Sequence, residues 1–288
     1  MNAEQAQQAL RARKFLELHQ GPRTLLLPNA WDVASARVFE EAGFPAVATT
    51  SAGIAFALGY PDGERVPLDE LLEVVARMSR ALRLPLSVDF EAGYGARPED
   101  VARSTRRLLE AGAVGLNLED SRKSDEGGLE EPSLHVEKIR AVREVGESFG
   151  VPLVINARTD VFLAAVGEPE IRLDHAVRRV NAYREAGADS LFVPGVSDRE
   201  TIVELVRQVK GPLNVLAVAG TPRISELEKL GVRRVTVGSG PMRATLGLVQ
   251  RIARELRNEG TYSSFVEGAL SYPDANRLFR RPPPPSGT

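Results

Sequence analysis

Charged side chains that could bind a metal ion and an organic acid stand at the ends of three short apolar runs. Asp89 and Glu91 close the third run along the chain, Glu119 closes the fourth and Arg158 closes the fifth. Carboxylate oxygens suit Mg²⁺, which takes a few protein carboxylates and keeps several of its waters. A planar guanidinium pairs with a carboxylate through two parallel hydrogen bonds. These residue types predict a metal-dependent enzyme if the fold brings them together.

The string from Val88 to Gly95 carries the strongest local signal. Asp89 and Glu91 are two residues apart, so on a strand they point to the same side. Gly93 and Gly95 allow the following loop to turn tightly. The alternative interpretation is that the two acids line a barrel and pair with lysine or arginine.

The acids and the arginine of the next two runs have structural alternatives as well. Glu119 is expected beside Asp89 on an adjacent strand, either as part of a metal site or in a strand-end salt bridge. Asp120 could instead cap the segment that follows. Arg158 could bind a substrate carboxylate, pair with Glu119 or Asp160, or do both.

Three polar turns carry weaker signals. Small residues in Thr49–Gly53 could present backbone N–H groups to a carboxylate, or form an ordinary turn. Asp62 could reach the waters of a metal, although Pro-Asp-Gly is also a common turn. The loop 122–128 could close over a substrate or simply be solvated.

Eight apolar runs, each followed by a helical pattern, must position these residues. They are rich in Val, Leu and Ile without strict polar alternation, as in parallel strands covered by helices. Eight such units predict a TIM-type eight-stranded parallel (β/α) barrel, an α/β fold in which the C-terminal strand ends surround the active-site mouth. The runs are 24–28, 46–50, 84–89, 114–119, 152–158, 190–194, 213–217 and 234–238.

Helical spacing separates the runs, and the string Glu-Ala-Gly closes three of the predicted helices, 32–43, 98–112 and 173–187. Glycine after the last periodic residue is a helix stop. His19, His135 and His175 all fall in predicted helices, so histidine catalysis is not expected. Further helices are predicted at 67–82, 134–148, 198–209, 224–230 and 241–258.

The organisation predicted from these elements is one barrel domain over 1–258. Its N-terminal helix, 1–20, could cap the barrel floor. A C-terminal helical extension with a proline-rich tip follows over 259–288. The apolar part of that extension needs a partner surface, such as a neighbouring subunit.

Composition limits the class of protein. The 288 residues are 43% hydrophobic and carry a formal net charge of -2, which gives no overall attraction to nucleic acid or to a membrane. The absence of cysteine excludes disulfides, thiolate metal sites and cysteine nucleophiles. No apolar stretch reaches the roughly 18 residues of a membrane span. The N-terminus lacks the pattern of a secretion signal, so a cytoplasmic protein is expected.

In the strand-end motifs described above, the chain resembles the isocitrate lyase / phosphoenolpyruvate mutase superfamily, and the resemblance extends from Pro28 to Gly240. The resemblance implies an Mg²⁺-dependent barrel that binds a 2-oxo acid and stabilises a pyruvate enolate while a C–C or P–C bond breaks or forms. It also implies a tetramer in which the last helix packs on a neighbour. The strings that carry it are Thr49–Gly53, Gly59–Asp62, Asp89–Gly95, Leu118–Asp120 and Asn156–Arg158.

The resemblance assigns roles to individual residues. It implies that Asp89 ligates Mg²⁺ directly and that Glu91, Glu119 and Asp62 help largely through waters. The implied ligands of the oxo acid are Arg158 and the backbone of Thr50, Ser51 and Ala52.

The chain departs from its two best-known branches. The superfamily usually has aspartate where Glu91 stands. The lyase branch has a Lys-Arg-Cys-Gly-His string in its lid, and this chain has no cysteine. The mutase branch uses a lid asparagine and a histidine on the sixth strand, where this chain has Pro194. The pattern looks most like a phosphonomutase-like branch without the cysteine motif.

These observations predict a lyase, dependent on Mg²⁺ or Mn²⁺, that acts on a small 2-oxo or 2-hydroxy carboxylic acid through C–C cleavage or decarboxylation. The proposed catalytic residues are Arg158, Glu119, Arg122 and Lys123, and a retro-aldol cleavage would take its base from Glu119, Tyr94 or the lid. One alternative is phosphonopyruvate hydrolase or mutase chemistry, with Arg122 or Lys123 binding the phosphoryl group. Another is a non-catalytic 2-oxo acid binder.

Overall fold

A computed structural model describes residues 2–122 and 127–280, and its strands form a parallel β/α barrel. Every strand pair is parallel, and both β1 and β8 pair with β9, while β2 pairs with β3. The strands are β1 Leu25–Leu27, β2 Asn29–Ala30, β3 Val47–Thr49, β4 Leu86–Asp89, β5 Gly115–Glu119, β6 Val154–Arg158, β7 Ser190–Phe192, β8 Leu213–Leu216 and β9 Arg234–Thr236.

Nine strand segments arise from the eight predicted runs because the first run is divided at Pro28. Proline has no N–H to donate to a strand ladder, and the chain changes partner here, from β9 before Pro28 to β3 after it. The Pro28 carbonyl accepts a hydrogen bond from the N–H of Ala48 at 2.9 Å. The first run therefore joins the two edges of the sheet, and the predicted barrel is confirmed.

Helices follow the strands as predicted, with one addition. The helix α3 begins directly after β3, where a turn was expected. The helices are α1 Ala3–Gln20, α2 Val33–Glu41, α3 Ser51–Leu58, α4 Leu68–Ala81, α5 Pro98–Glu110, α6 Pro132–Phe149, α7 Pro169–Glu185, α8 Arg199–Gln208, α9 Ile224–Leu230, α10 Gly240–Asn258, α11 Ser263–Val266 and α12 Tyr272–Phe279.

The first helix covers the N-terminal end of the barrel. Phe15 is fully buried, and a Cβ added at Gly115, the first residue of β5, would lie 2.7 Å from its ring. The amide of Gln8 donates to the carbonyls of Leu109 and Ala113, each at 2.8 Å. These contacts attach α1 to the connection that enters β5 and leave the opposite end of the barrel open.

The last helices lie outside the barrel core. In α10 only Met242 and Glu255 are buried, and Glu255 accepts hydrogen bonds from the N–H groups of Ser263 and Ser264. The helix α12 returns to α2, where Arg37 Nε donates to the Leu278 carbonyl at 2.7 Å. The predicted proline-rich tip lies outside the described residues. No described helix has the length and apolar character needed to span a bilayer.

Candidate functional site

The carboxyl ends of β4, β5 and β6 bring three of the predicted site residues together. Asp89 is paired in register with Asn117, and Glu119 is paired with Arg158. Glu119 Oε2 lies 2.8 Å from Arg158 Nη1, and both side chains are largely buried. The strand ends thus form an acidic and basic cluster at the mouth of the barrel.

The N-terminus of α3 holds the carboxylate of Asp89. Ser51 donates to Asp89 Oδ2 from its N–H at 3.1 Å and from its hydroxyl at 2.9 Å, and Asn117 donates to Oδ1 at 3.3 Å. A helix N-terminus carries partial positive charge and unpaired N–H groups, so it favours an anion. This arrangement fixes the orientation of the Asp89 carboxylate.

The backbone of residues 50–52, which the resemblance assigns to the oxo acid, is partly occupied by hydrogen bonds within the protein. The N–H of Thr50 donates to the Ala30 carbonyl at 3.0 Å, and the N–H of Ser51 is bound to Asp89. Ala52 lies in the first turn of α3, where an N–H has no acceptor within the helix. In the described structure, two of the three backbone groups assigned to the substrate thus already have protein acceptors.

Glu91 lies in the turn that follows β4, whereas the sequence analysis placed it on the strand. The strand ends at Asp89, and Glu91 has a φ of 49°, in the left-handed region. The expectation that both acids share one side of a strand was therefore wrong, because strand alternation does not extend to Glu91. The Glu91 carbonyl accepts from the Glu119 N–H at 2.8 Å, which ties the turn to β5.

Two glycines make this turn possible, as predicted. Gly93 has a φ of +95°, and a Cβ there would lie 2.8 Å from Val101. A Cβ at Gly95 would lie 2.7 Å from the backbone nitrogen of the same valine. The turn is thus pressed against the start of α5, and only glycine fits both positions.

Tyr94 marks the centre of an acidic environment. Burial raises the pKa of its phenol, and nearby carboxylates raise that pKa further because they disfavour a phenolate. The phenol is therefore held protonated and can donate a hydrogen bond. The carboxylates concerned are Glu91, Glu64, Asp89 and Asp62.

Asp62 and Glu64 enter this environment from the loop before α4. Asp62 is exposed, whereas Glu64 is half-buried and accepts from the N–H of Ala92 at 3.3 Å. Glu64 was not among the predicted site residues. Its φ of 61° is the structural sign of a constrained position, and the sequence offers only the preceding glycine as a hint.

Arg158 is held by two carboxylates. Asp160 binds it through both oxygens, Oδ1 at 2.6 Å from Nε and Oδ2 at 2.9 Å from Nη2, and Glu119 binds Nη1. Burial by itself lowers the pKa of Arg158, but these two acids raise it above its usual value. The structural pairing considered from the sequence is confirmed, and within residues 2–122 and 127–280 it leaves two of the five guanidinium N–H groups without an acceptor.

Asp120 does not belong to the mouth and does not cap a helix. It is fully buried, and its Oδ2 accepts from Thr159, Tyr183 and Arg179 at 2.7, 2.7 and 2.9 Å. The suggestion that it caps the following segment was wrong. The carboxylate instead joins the ends of β5 and β6 to α7, and so fixes the backbone that carries Glu119.

The loop after β5 is closed at its base. Ser121 and Leu129 form an isolated antiparallel bridge, and the Arg122 N–H donates to the Gly128 carbonyl at 2.9 Å. The Ser121 hydroxyl also donates to Asp160, a contact that sequence reasoning missed. Arg122 is exposed beside this bridge, and Lys123 lies outside the described residues.

The oxygen donors at the mouth fit Mg²⁺ or Mn²⁺. Among residues 2–122 and 127–280, no three acidic, cysteine or histidine side chains form a cluster that could hold a metal by themselves. Mg²⁺ requires only one or two protein carboxylates and fills its other positions with waters or substrate. A buried Asp89 with further acids around it meets that requirement, and the four predicted ligands do not form a closed cage.

All three histidines lie in helices, as predicted. His19 is buried in α1, His135 in α6, and His175 lies in α7 against Arg179.

Known proteins share this architecture. The family model described as phosphoenolpyruvate phosphomutase matches residues 15–257. An uncharacterized protein of Mycobacterium tuberculosis is 35% identical over 241 residues, which are 83% of this chain and 87% of the relative. An oxaloacetate decarboxylase of Bradyrhizobium sp. is 32% identical over 88% of this chain and 86% of its own.

A crystal structure of a candidate lyase/mutase from Burkholderia cenocepacia aligns with a TM-score of 0.89 at 38% identity and covers 96% of this chain and 98% of its own. The sequence match and the structural match therefore extend over the whole barrel, including every strand end described above. The chain belongs to the phosphoenolpyruvate phosphomutase family, as its resemblance to the isocitrate lyase / phosphoenolpyruvate mutase superfamily implied.

Proposed function

We propose that this protein is a lyase, dependent on Mg²⁺ or Mn²⁺, that cleaves a small 2-oxo or 2-hydroxy carboxylic acid through a pyruvate-type enolate. The observation that carries the proposal is the position of Arg158, a buried cation fixed by Glu119 and Asp160 and within the electrostatic reach of Asp89. A cation so placed favours a bound carboxylate and the negative charge that develops beside it.

Arg158 would bind the substrate carboxylate through its two remaining N–H groups. Because two carboxylates already orient the guanidinium, little rotamer freedom is left to lose on binding. Its fixed plane would set the direction of the bond to be broken, since orientation alone can supply a large part of a rate enhancement.

Asp89, with Glu91, Glu119 and Asp62, would hold the divalent ion and its waters. When bound, the ion acts as a Lewis acid that polarises the oxo group and stabilises negative charge on its oxygen. The Ser51 hydrogen bonds would hold the Asp89 carboxylate in a fixed orientation toward the ion.

Decarboxylation of a 2-oxo dicarboxylate matches this set of groups well. The bond between the methylene carbon and the distal carboxylate breaks, CO₂ leaves, and the electron pair moves toward the oxo oxygen. No base is needed for that step, whereas a proton must afterwards return to carbon. Solvent water is the proposed donor, because burial and four nearby acids disfavour the phenolate that Tyr94 would become if it gave up its proton.

Pyruvate release from a panel of 2-oxo and 2-hydroxy acids, measured with and without metal, tests the proposal. We expect one acid to yield pyruvate, activity to disappear with a chelator, and Mg²⁺ or Mn²⁺ to restore it. Asp89→Asn should lose the activity that the metal supports, and the exposed Asp174→Asn serves as a control. Tight, Mg²⁺-dependent oxalate binding without turnover of any substrate would identify a binder instead.

A second candidate is hydrolysis or rearrangement of phosphonopyruvate. It is favoured by the exposed Arg122, which a closed loop base presents beside the mouth. Phosphate release from phosphonopyruvate, absent in Arg122→Gln, would support this function. Pyruvate release from carboxylic acids that is unaffected by Arg122→Gln would count against it.

We also propose a tetramer with C-terminal helix exchange, in which α10 packs on a neighbouring subunit while α12 stays on α2 of its own chain. The helix α10 buries few of its side chains and exposes Leu246, Leu248, Val249 and Leu256. Light scattering should then give four times the 31.3 kDa protomer mass, and a monomer would contradict the proposal.

A further inference from the structure

A second charged cavity lies on the outside of the barrel, away from the mouth. It is formed between α2, the C-terminal end of α4 and α12, and it has a volume of about 430 Å³. Five of its ten lining residues are arginines, and none is acidic. The arginines are Arg37, Arg77, Arg80, Arg83 and Arg280.

Its place in the fold separates it from the proposed active site. Arg83 stands just before β4, which begins at Leu86 and ends at Asp89. The cavity therefore lies toward the N-terminal ends of the strands, whereas Asp89 and Arg158 lie at their carboxyl ends. A ligand here would not touch the metal or the oxo acid.

Two of the five arginines already have acidic partners. Arg37 pairs with Glu40 and also binds the Leu278 carbonyl. Arg77 lies 3.8 Å from Glu73, but both side chains are about 70% exposed. An ion pair exposed to this degree is weak, so Arg77 can still bind another anion. Neither partner lines the cavity.

The other three arginine side chains have no ion-pair partner in the described chain, although the Glu40 carboxylate accepts from the backbone N–H of Arg83 at 2.7 Å. The guanidinium groups of Arg80, Arg83 and Arg280 form no ion pair or hydrogen bond with any described residue. A cation near a helix C-terminus is favoured by the helix dipole, which accounts for Arg80. It does not account for Arg83 in the following loop or for Arg280, which comes from another part of the chain.

The wall between the arginines is apolar. Val33, Leu82 and Phe279 line the cavity, and the Phe279 ring is 52% exposed. Guanidinium groups bind phosphate oxygens in pairs, and an exposed ring offers a stacking surface. The protein as a whole has a net charge of -2, so this concentration of positive charge is local and suits a small anion rather than a nucleic acid.

We propose that this cavity, the arginine pocket, binds a small, multiply charged phosphate compound. The three unpaired arginines would contact its phosphate oxygens, and the apolar wall would contact an organic part if one is present. Inorganic pyrophosphate and adenosine triphosphate distinguish these two ligand types, because they share the phosphate chain and differ in the organic part.

Calorimetric titration of the full chain with each probe, in a chelator, tests the proposal. We expect saturable binding of pyrophosphate that weakens as ionic strength rises, because surface charges are screened by salt. Arg80→Gln/Arg83→Gln should weaken binding at least tenfold. Neither side chain makes a described bond, so the variant should keep the thermal midpoint of the wild type.

A matched variant, Arg106→Gln/Arg178→Gln, removes two exposed arginines elsewhere and should bind as the wild type does. Asp89→Asn should also bind normally, since the mouth is not involved. Tighter binding of adenosine triphosphate than of pyrophosphate would support a contact with Phe279, and equal binding would support the phosphate contacts alone. No saturable binding of either probe, equal loss in both double variants, or loss in Asp89→Asn would overturn the proposal.

Discussion

The carboxylate of Asp160 holds the guanidinium of Arg158 through both oxygens, at 2.6 Å from Nε and 2.9 Å from Nη2. Two residues apart on one strand end, they form the fixed centre of the barrel mouth. Ser121, which follows the neighbouring strand β5, donates a further hydrogen bond to the same carboxylate. The plane of Arg158, and with it the direction in which a bound acid would lie, therefore depends on Asp160.

Asp160→Asn tests that dependence. The amide keeps the shape but removes one charged acceptor, and a hydrogen bond to a charged group is worth about 1.5–3 kcal/mol. We expect the KM for the acid that yields pyruvate to rise about tenfold or more, since each 1.4 kcal/mol is a factor of ten. Steady-state kinetics measures it, with Asp174→Asn as the exposed control. An unchanged KM would show that Asp160 does not orient Arg158 for substrate binding.

Arg179→Met tests whether the buried carboxylate of Asp120 fixes the backbone that carries Glu119. It would leave the carboxylate of Asp120 buried without its cation, and breaking a buried pair costs about 3–5 kcal/mol. Urea unfolding should show a loss of that order. Arg178→Met, at a neighbouring residue whose side chain is 70% exposed, should change stability by no more than about 0.5 kcal/mol. Similar losses in the two variants would contradict the anchoring role.

Gly93→Ala tests the close approach of the acidic turn to α5. Both Gly93 and Gly43 have positive φ angles, +95° and +87°, but a Cβ at Gly43 would meet nothing within 4 Å. Gly43→Ala therefore measures the backbone cost alone. Gly93→Ala should lose about 1–3 kcal/mol more in unfolding free energy because of the contact with Val101. Equal losses would mean that the turn has room to move.

Stability should fall in mild acid because of His19. Burial, and next the charge of Arg234, lower its pKa to about 3, against a hydrogen bond to the Phe15 carbonyl that raises it. The folded state thus keeps His19 neutral, while the unfolded state takes up a proton below its usual pKa of about 6.5. Stability is lost as pH falls from that value toward 3.

Unfolding free energies at pH 7 and pH 5 measure this loss. The wild type should lose about 2 kcal/mol more than His19→Gln over that interval, because each pKa unit corresponds to 1.36 kcal/mol. Comparison with the variant removes the contribution of the carboxylates, which both proteins share. Equal losses would show that His19 does not titrate on unfolding.

Much of the barrel could be predicted because its signals are local. All eight apolar runs became strands, since buried parallel strands need apolar side chains on both faces. Helix ends were less certain. The helix α7 begins at Pro169, four residues before its predicted start, because proline is favoured at the first helical position.

The helix α3 was missed for a related reason. Its sequence, Ser-Ala-Gly-Ile-Ala-Phe-Ala-Leu, is apolar on all sides and lacks the period that marks a surface helix. Its local signs are Thr50, whose side chain caps the first turn, and Gly59, which ends the helix with a φ of 86°. The consequence reaches the site, because the N–H of Ser51, at the start of this helix, donates to Asp89.

The sequence by itself determined the barrel, the acids and the arginine at its strand ends, and the glycines that the turn requires. Residue type and spacing carry that information, because strand and helix periods are short. Only the tertiary structure decided what each charge does. Asp120 follows Glu119 directly, yet it is bound by Arg179 and Tyr183, which lie 59 and 63 residues away. A carboxylate takes the nearest cation or donor in space, and that neighbour exists only after the chain has folded.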